Sequence, residues 1–207
     1  MVRVKICGHK SVDDIIFSAE AGAHAVGVIY GFPESPRNNG LGEASRLLER
    51  VPGLTERVLV TNASGLKTAD KLGVRTVQLI AQPRRLLSLK ASYPSLKLIP
   101  VLYIERKLPK PEVMKIFSDF DVILLDTKDG SKAGGTGKSH DWTISRRLTK
   151  ELGRVVLAGG LNPENLEEAV CTVEPYAVDV SSGVESSPGV KDHLLVKAFV
   201  RRAMEIG

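Results

Sequence analysis

With 207 residues, 43% of them hydrophobic, the chain can bury one sizeable core and is short for two. No apolar run approaches the roughly 20 residues of a membrane span, and its two cysteines, Cys7 and Cys171, match no metal-ligand spacing or disulfide scaffold. A net charge of +5 with 5% aromatic residues reads as a solvated basic surface that draws in small anions, without the stacking platform of a nucleic-acid binder.

The opening residues, MVRVKICGHK, lack the apolar core of a signal peptide and begin directly in a strand pattern. A cytoplasmic protein with reduced thiols and no membrane partner is expected. Gln occurs only at 78 and 82 while 26% of residues are charged, a combination that hints at a heat-adapted source.

Apolar runs alternate with amphipathic stretches along the whole chain. The first strand is predicted over residues 2–7 (VRVKIC), followed by a helix that Ser11 caps. Residues 25–30 (AVGVIY) precede the helix LGEASRLLERV. Residues 57–61 (RVLVT) precede a helix GLKTADKLG that Gly73 ends. Residues 76–80 (TVQLI) lead into RRLLSLKASY, residues 97–104 (KLIPVLYI) into PEVMKIFSDF, and residues 121–126 (DVILLD) into WTISRRLTKEL. Residues 154–159 (RVVLAG) precede PENLEEAV, with Asn162 as cap and Pro163 in the first helical position. Residues 176–181 (YAVDVS) precede the last helix, HLLVKAFVRRAMEI.

Eight βα units of about 26 residues each predict a parallel sheet. Eight units close into a (β/α)8 TIM barrel, here a single domain over residues 1–207 and near the lower size limit of about 200 residues. An open doubly wound sheet is the alternative. That fold more often carries a glycine fingerprint after the first strand, where ICGHKS has one Gly.

The run AGGTGKSHDW at 133–142 imitates a nucleotide-binding loop. A P-loop needs another Gly five positions before Gly137, and Lys132 stands there. The preceding strand also ends about ten residues too early to form the phosphate-binding nest. Residues 127–140 are instead expected to form a polar lid over the catalytic face, after the strand that ends in Asp126.

Barrel chemistry sits at the C-terminal strand ends. In the first strand Val2, Val4 and Ile6 share one face, which leaves Lys5 and Cys7 pointing into the barrel with Cys7 at the rim. A free thiol has a pKa of about 8.5. Lys5, about 7 Å away along the strand, is expected to favour the thiolate by roughly 2 kcal/mol and poise Cys7 near neutral pH. Asp126 closes an apolar run on the face shared by Val122 and Leu124, so its carboxyl is expected to point inward, across the mouth from Cys7. A base and an acid across one pocket suit an isomerase. Gly159 and Gly160 precede a helix start, and Ser182 and Gly183 follow the last strand; these two loops are the usual phosphate site of a barrel. Arg37, in the loop after the second strand, suits a carboxylate or phosphate.

Taken in order, VKICG (4–8), VGVI (26–29), SPR (35–37), LVTN (59–62), VQL (77–79), ILLDT (123–127), GGTGK with DW (134–142), LAGGLNPENL (157–166) and VDVSSGVESSPGVKD (178–192) resemble the phosphoribosylanthranilate isomerase family of tryptophan biosynthesis. The resemblance implies a cofactor-free, metal-free Amadori rearrangement of a small anionic phosphosugar. Cys7 would be the base and Asp126 the acid. Lys5, Arg37, Gln78 and Asp179 would bind substrate, and Gly159, Gly160, Ser182 and Gly183 its phosphate. A monomer or homodimer is expected. Two positions depart from the family's usual pattern: VQLIA places Ile80 where the family often has His, and His140 stands where an aromatic such as Phe is common. The histidine-pathway sugar isomerase shares the same logic but uses Asp at the end of strand one, where this chain has Cys7. A non-catalytic phosphate sensor would need the loops without Cys7 and Asp126.

Overall fold

The computed structural model describes residues 1–105, 107–129, 132–133 and 140–206. Eight parallel strands build the barrel: β1 (Arg3–Cys7), β2 (Ala25–Tyr30), β3 (Glu56–Asn62), β4 (Thr76–Ile80), β5 (Lys97–Ile104), β6 (Ile123–Asp129), β7 (Val155–Leu157) and β8 (Ala177–Val180). Each pairs with its neighbour in chain order, and β1 pairs with both β2 and β8, so the sheet closes on itself. The expected (β/α)8 barrel is the observed one. Most of the expected lid, including the Gly137-Lys138-Ser139 run, lies outside the described residues; Thr127 and His140 at its ends are inside them.

Around the strands run α1 (Val12–Glu20), α2 (Leu41–Glu49), α3 (Pro83–Ser92), α4 (Pro111–Phe117), α5 (Trp142–Leu152), α6 (Leu166–Val173) and α7 (His193–Glu205). Ser11 caps α1 as expected, its hydroxyl accepting from the N–H groups of Asp13 and Asp14. No helix among the described residues is long and apolar enough to cross a membrane.

Two local expectations are corrected. The helix expected after β3 is a 3₁₀ turn over Leu66–Thr68 followed by further turns. Its buried residues Leu66, Ala69 and Leu72 are three apart, which matches a three-residue turn better than an α-helix. The bonds agree, with Thr68 donating to Gly65 O and Ala69 to Leu66 O. Asn162 and Pro163 do not open α6. The Asn162 side chain accepts from the N–H groups of Glu164 and Asn165, making an Asx turn, and the helix begins at Leu166.

The alternation of β1 is resolved as expected. Val2, Val4 and Ile6 pack outward with Val196, Phe199 and Val200 of α7. The barrel interior is a smaller apolar plug of Val101, Leu124, Val156, Ala158 and Ala177. Polar side chains sit on the same inward faces and open at the C-terminal mouth.

Candidate active site

One pocket at that mouth collects residues from most of the barrel. Its wall carries Cys7 from β1, Gln78 and Ile80 from β4, Tyr103 from β5, Asp126 from β6 and Asp179 from β8. Arg37, Gly159, Gly160 and Ser182 join from the loops after β2, β7 and β8. Period-two alternation turns each of these strand residues inward beside the plug. Two predicted residues stand behind the wall instead. Lys5 lies beneath Cys7, and Gly183 packs where any Cβ would come within 1.9 Å of Leu161 O, so the loops after β7 and β8 can close on each other only at a glycine.

Lys5 Nζ donates to Asp179 Oδ1 at 2.8 Å, across the β1–β8 pair in which these residues are register partners. Its charge also acts on the Cys7 thiol. Both groups lie over Gly27 of β2, where an added Cβ would stand 2.8 Å from Cys7 Sγ and 3.1 Å from Lys5 Nζ. The expected depression of the thiol's pKa is corrected. Burial pushes Cys7 up; Lys5 pulls it down; Asp179 pushes it up again, and the net shift is upward. Strand geometry places the lysine near the thiol but reveals neither the carboxylate that pairs with it nor the loss of water around the sulfur.

Asp126 points into the pocket, as predicted. Burial lifts its carboxyl to about 7, against the Thr127 N–H that donates to Oδ1 at 2.8 Å. Its register partner Tyr103 has its phenol pushed upward by burial and by the Asp126 charge, so it remains a neutral donor. His140, half-buried and pulled down to about 4, bridges Thr127 Oγ1 at 2.9 Å and Ser145 Oγ at 2.5 Å. A neutral imidazole here ties the end of β6 to α5, which a phenyl ring in the same space does not do.

The remaining wall suits an anion. Gly159 and Gly160 have φ of +90° and +70°, a left-handed pair that other residues rarely adopt. Arg37 presents its Nε and Nη2 to Glu185 at 2.8 and 2.6 Å, which leaves its Nη1/Nη2 edge for a ligand. Gln78 Oε1 and Ser181 Oγ are buried on the pocket wall with no partner among the described residues. Buried orphans of this kind are costly unless a ligand or water satisfies them.

Three residues of the site escaped the sequence reading. Tyr103 was legible, being the inward residue two past Val101 at the end of β5. Glu185 and Lys191 sit in the hairpin after β8, where no periodicity reports facing, and only the folded pairing with Arg37 reveals them.

The fold and its mouth define a (β/α)8-barrel enzyme with its chemistry at the C-terminal strand ends. The family model for N-(5'-phosphoribosyl)anthranilate (PRA) isomerase matches residues 4–202. The N-(5'-phosphoribosyl)anthranilate isomerase of Haloarcula marismortui is 39% identical over 99% of this chain and 97% of its own length. The solved phosphoribosyl anthranilate isomerase of Thermotoga maritima superimposes with a TM-score of 0.85 at 36% identity, covering 99% of this chain and all of that one. A second solved phosphoribosyl anthranilate isomerase, in complex with reduced 1-(o-carboxyphenylamino)-1-deoxyribulose 5-phosphate, gives 0.82 at 34% identity over the same shares. The chain belongs to the phosphoribosylanthranilate isomerase family, isomerases of tryptophan biosynthesis.

Proposed function

We propose that the chain converts N-(5'-phosphoribosyl)anthranilate to 1-(2-carboxyphenylamino)-1-deoxyribulose 5-phosphate, without a cofactor, by general acid–base catalysis. The observation that carries this reading is the Asp126 carboxyl, lifted to about 7 by burial and facing the same pocket as the Cys7 thiol. Protonated Asp126 gives its proton to the ribose ring oxygen, and the ring opens to a cationic Schiff base. The Cys7 thiolate then takes the C2' proton, leaving an enolamine. Protonation of C1' with loss of the C2' hydroxyl proton completes the ketose.

Arg37 holds the anthranilate carboxylate on its free guanidinium edge. Gln78 and Asp179 bind polar groups of the open-chain sugar. The loops at Gly159–Gly160 and Ser182–Gly183 hold the phosphate. Lys5, beneath the wall, serves as the charge between Asp179 and Cys7. Ile80 offers the aromatic ring an apolar surface.

The test is a fluorescence assay on substrate made in situ from anthranilate. Cys7→Ala and Asp126→Asn are each expected to lower turnover at least a hundredfold, in line with a factor of about 10² to 10⁴ for one proton-transfer group, while KM changes little. Wild-type turnover in either variant refutes the role of that residue.

A further inference from the structure

Lys191 takes no part in the reaction proposed above, yet its side chain is wholly buried beside the site. It ends a short antiparallel hairpin in which Glu185 and Lys191 are register partners. An ammonium has three N–H donors, and here each finds an acceptor. They are the Cys7 carbonyl at 2.5 Å, the Ser181 carbonyl at 3.2 Å and Glu185 Oε1 at 2.8 Å.

The two carbonyls lie one residue past the last β1–β8 pair, Ile6 with Val180. The ladder has ended there, and the ammonium spans the two strand ends in its place. The third acceptor is the carboxylate that grips Arg37. Burial works against ionisation of Glu185, but Arg37 and Lys191 outweigh it and hold the carboxyl below its ordinary value. One cation therefore fixes the backbone of the thiol residue, the start of the loop after β8 and, through Glu185, the arginine. Apolar packing would close the same seam without desolvating a charge. What it would not do is hold two carbonyls and a carboxylate at fixed distances.

We propose that Lys191 is a positioning residue for the isomerisation, setting where the Cys7 thiol meets the sugar and, through Glu185, how Arg37 presents its free edge. The proposal rests on the reaction assigned above. Its two branches separate in kinetics: Lys191 acts on kcat through Cys7, and Glu185 acts on KM through Arg37.

The test is a double-mutant cycle of Lys191→Met and Cys7→Ala, read as kcat on N-(5'-phosphoribosyl)anthranilate, with circular dichroism confirming the fold. With Cys7 present, Lys191→Met lowers kcat at least tenfold. In the Cys7→Ala chain it lowers the residual rate less than threefold, because no thiol remains to be placed. An equal loss in both backgrounds makes Lys191 a staple of the barrel seam and overturns the proposal. So does a folded Lys191→Met with unchanged kcat. Should Lys191→Met fail to fold, Glu185→Gln decides: it raises KM at least fivefold with kcat within threefold, and an unchanged KM overturns the proposal. The unsubstituted chain is run beside the variants. If it turns nothing over, the assigned reaction fails; if it turns over and the cycle is additive, only the role of Lys191 fails.

Discussion

Asp126 and Cys7 titrate in an order that fixes the shape of the pH–rate profile. In the proposed reaction Asp126 is the acid, active when protonated, with a folded pKa of about 7. Cys7 is the proposed base, active when ionised, and its pKa is raised above the ordinary thiol value, with burial the largest cause. The acid thus loses its proton before the base does. The productive form, carboxylic acid with thiolate, is a minority at every pH. Because Cys7 is raised by burial while Asp126 titrates at about 7, that form is a small share of the free enzyme. Below pH 7 the thiolate share grows tenfold per unit while the acid stays protonated, so kcat/KM rises. Between the two pKa values the gain in thiolate cancels the loss of acid, and the profile is level. Above the thiol's pKa only the loss of acid remains, and kcat/KM falls. The assay is kcat/KM by fluorescence from pH 5.5 to 10. It is paired with direct titration of thiolate absorbance in a Cys171→Ser background, which removes the exposed second thiol. A substrate phosphate titrates near pH 6, about a unit below the expected limb, so the two are separable. A thiol midpoint below 8, or a profile already level at pH 5.5, refutes the reasoning.

The same carboxyl makes a stability prediction. Its folded pKa of about 7 lies above the ordinary 3.8, so the stability tied to protonated Asp126 is full below 3.8 and lost as pH rises through 7. About three units set a ceiling of roughly 4 kcal/mol, which water in the open mouth cuts to about 2. Asp126→Asn should therefore be about 2 kcal/mol more stable than the parent in urea at pH 8, with the gain shrinking toward pH 4; a pH-independent gain counts against this account. Gly27→Ala places a methyl 2.8 Å from Cys7 Sγ and 3.1 Å from Lys5 Nζ. It is expected to lower kcat at least tenfold with KM within threefold, and an unaltered kcat would mean that the thiol is not held where the structure puts it.

The barrel was legible because its signals are local and repeated. Apolar strands alternate with amphipathic helices eight times, and the inward placement of Lys5, Cys7 and Asp126 follows from period-two alternation, whereas Gln78 and Asp179 enter through the family resemblance. The segment after β3 differs from expectation because Leu66, Ala69 and Leu72 fit a helix and a 3₁₀ turn almost equally in a nine-residue window. Electrostatics were the harder part. The charge on Lys5 was visible in sequence, but its partner Asp179 lies 174 residues away, and the desolvation that governs Cys7 exists only once the barrel has closed. Arg37 was found while the Glu185 that occupies half of it was not, because a hairpin carries no facing rule.

Burial moves Asp126 and Cys7 in the same direction, and the two consequences differ. A carboxyl lifted to about 7 is a proton donor matched to neutral pH, so the acid is ready in the resting enzyme. A thiol lifted by the same burial is mostly protonated, so the base is not. In the proposed reaction the missing thiolate is recruited by the first step. Ring opening turns the substrate nitrogen into a cation next to C2', within the pocket that Cys7 lines, and a nearby positive charge favours the ionised thiol. A thiolate that burial has made scarce is also a stronger base once formed. In the proposed reaction acid catalysis therefore precedes base catalysis for an electrostatic reason. Lys5 alone does not supply the needed charge, because Asp179 already neutralises it at 2.8 Å.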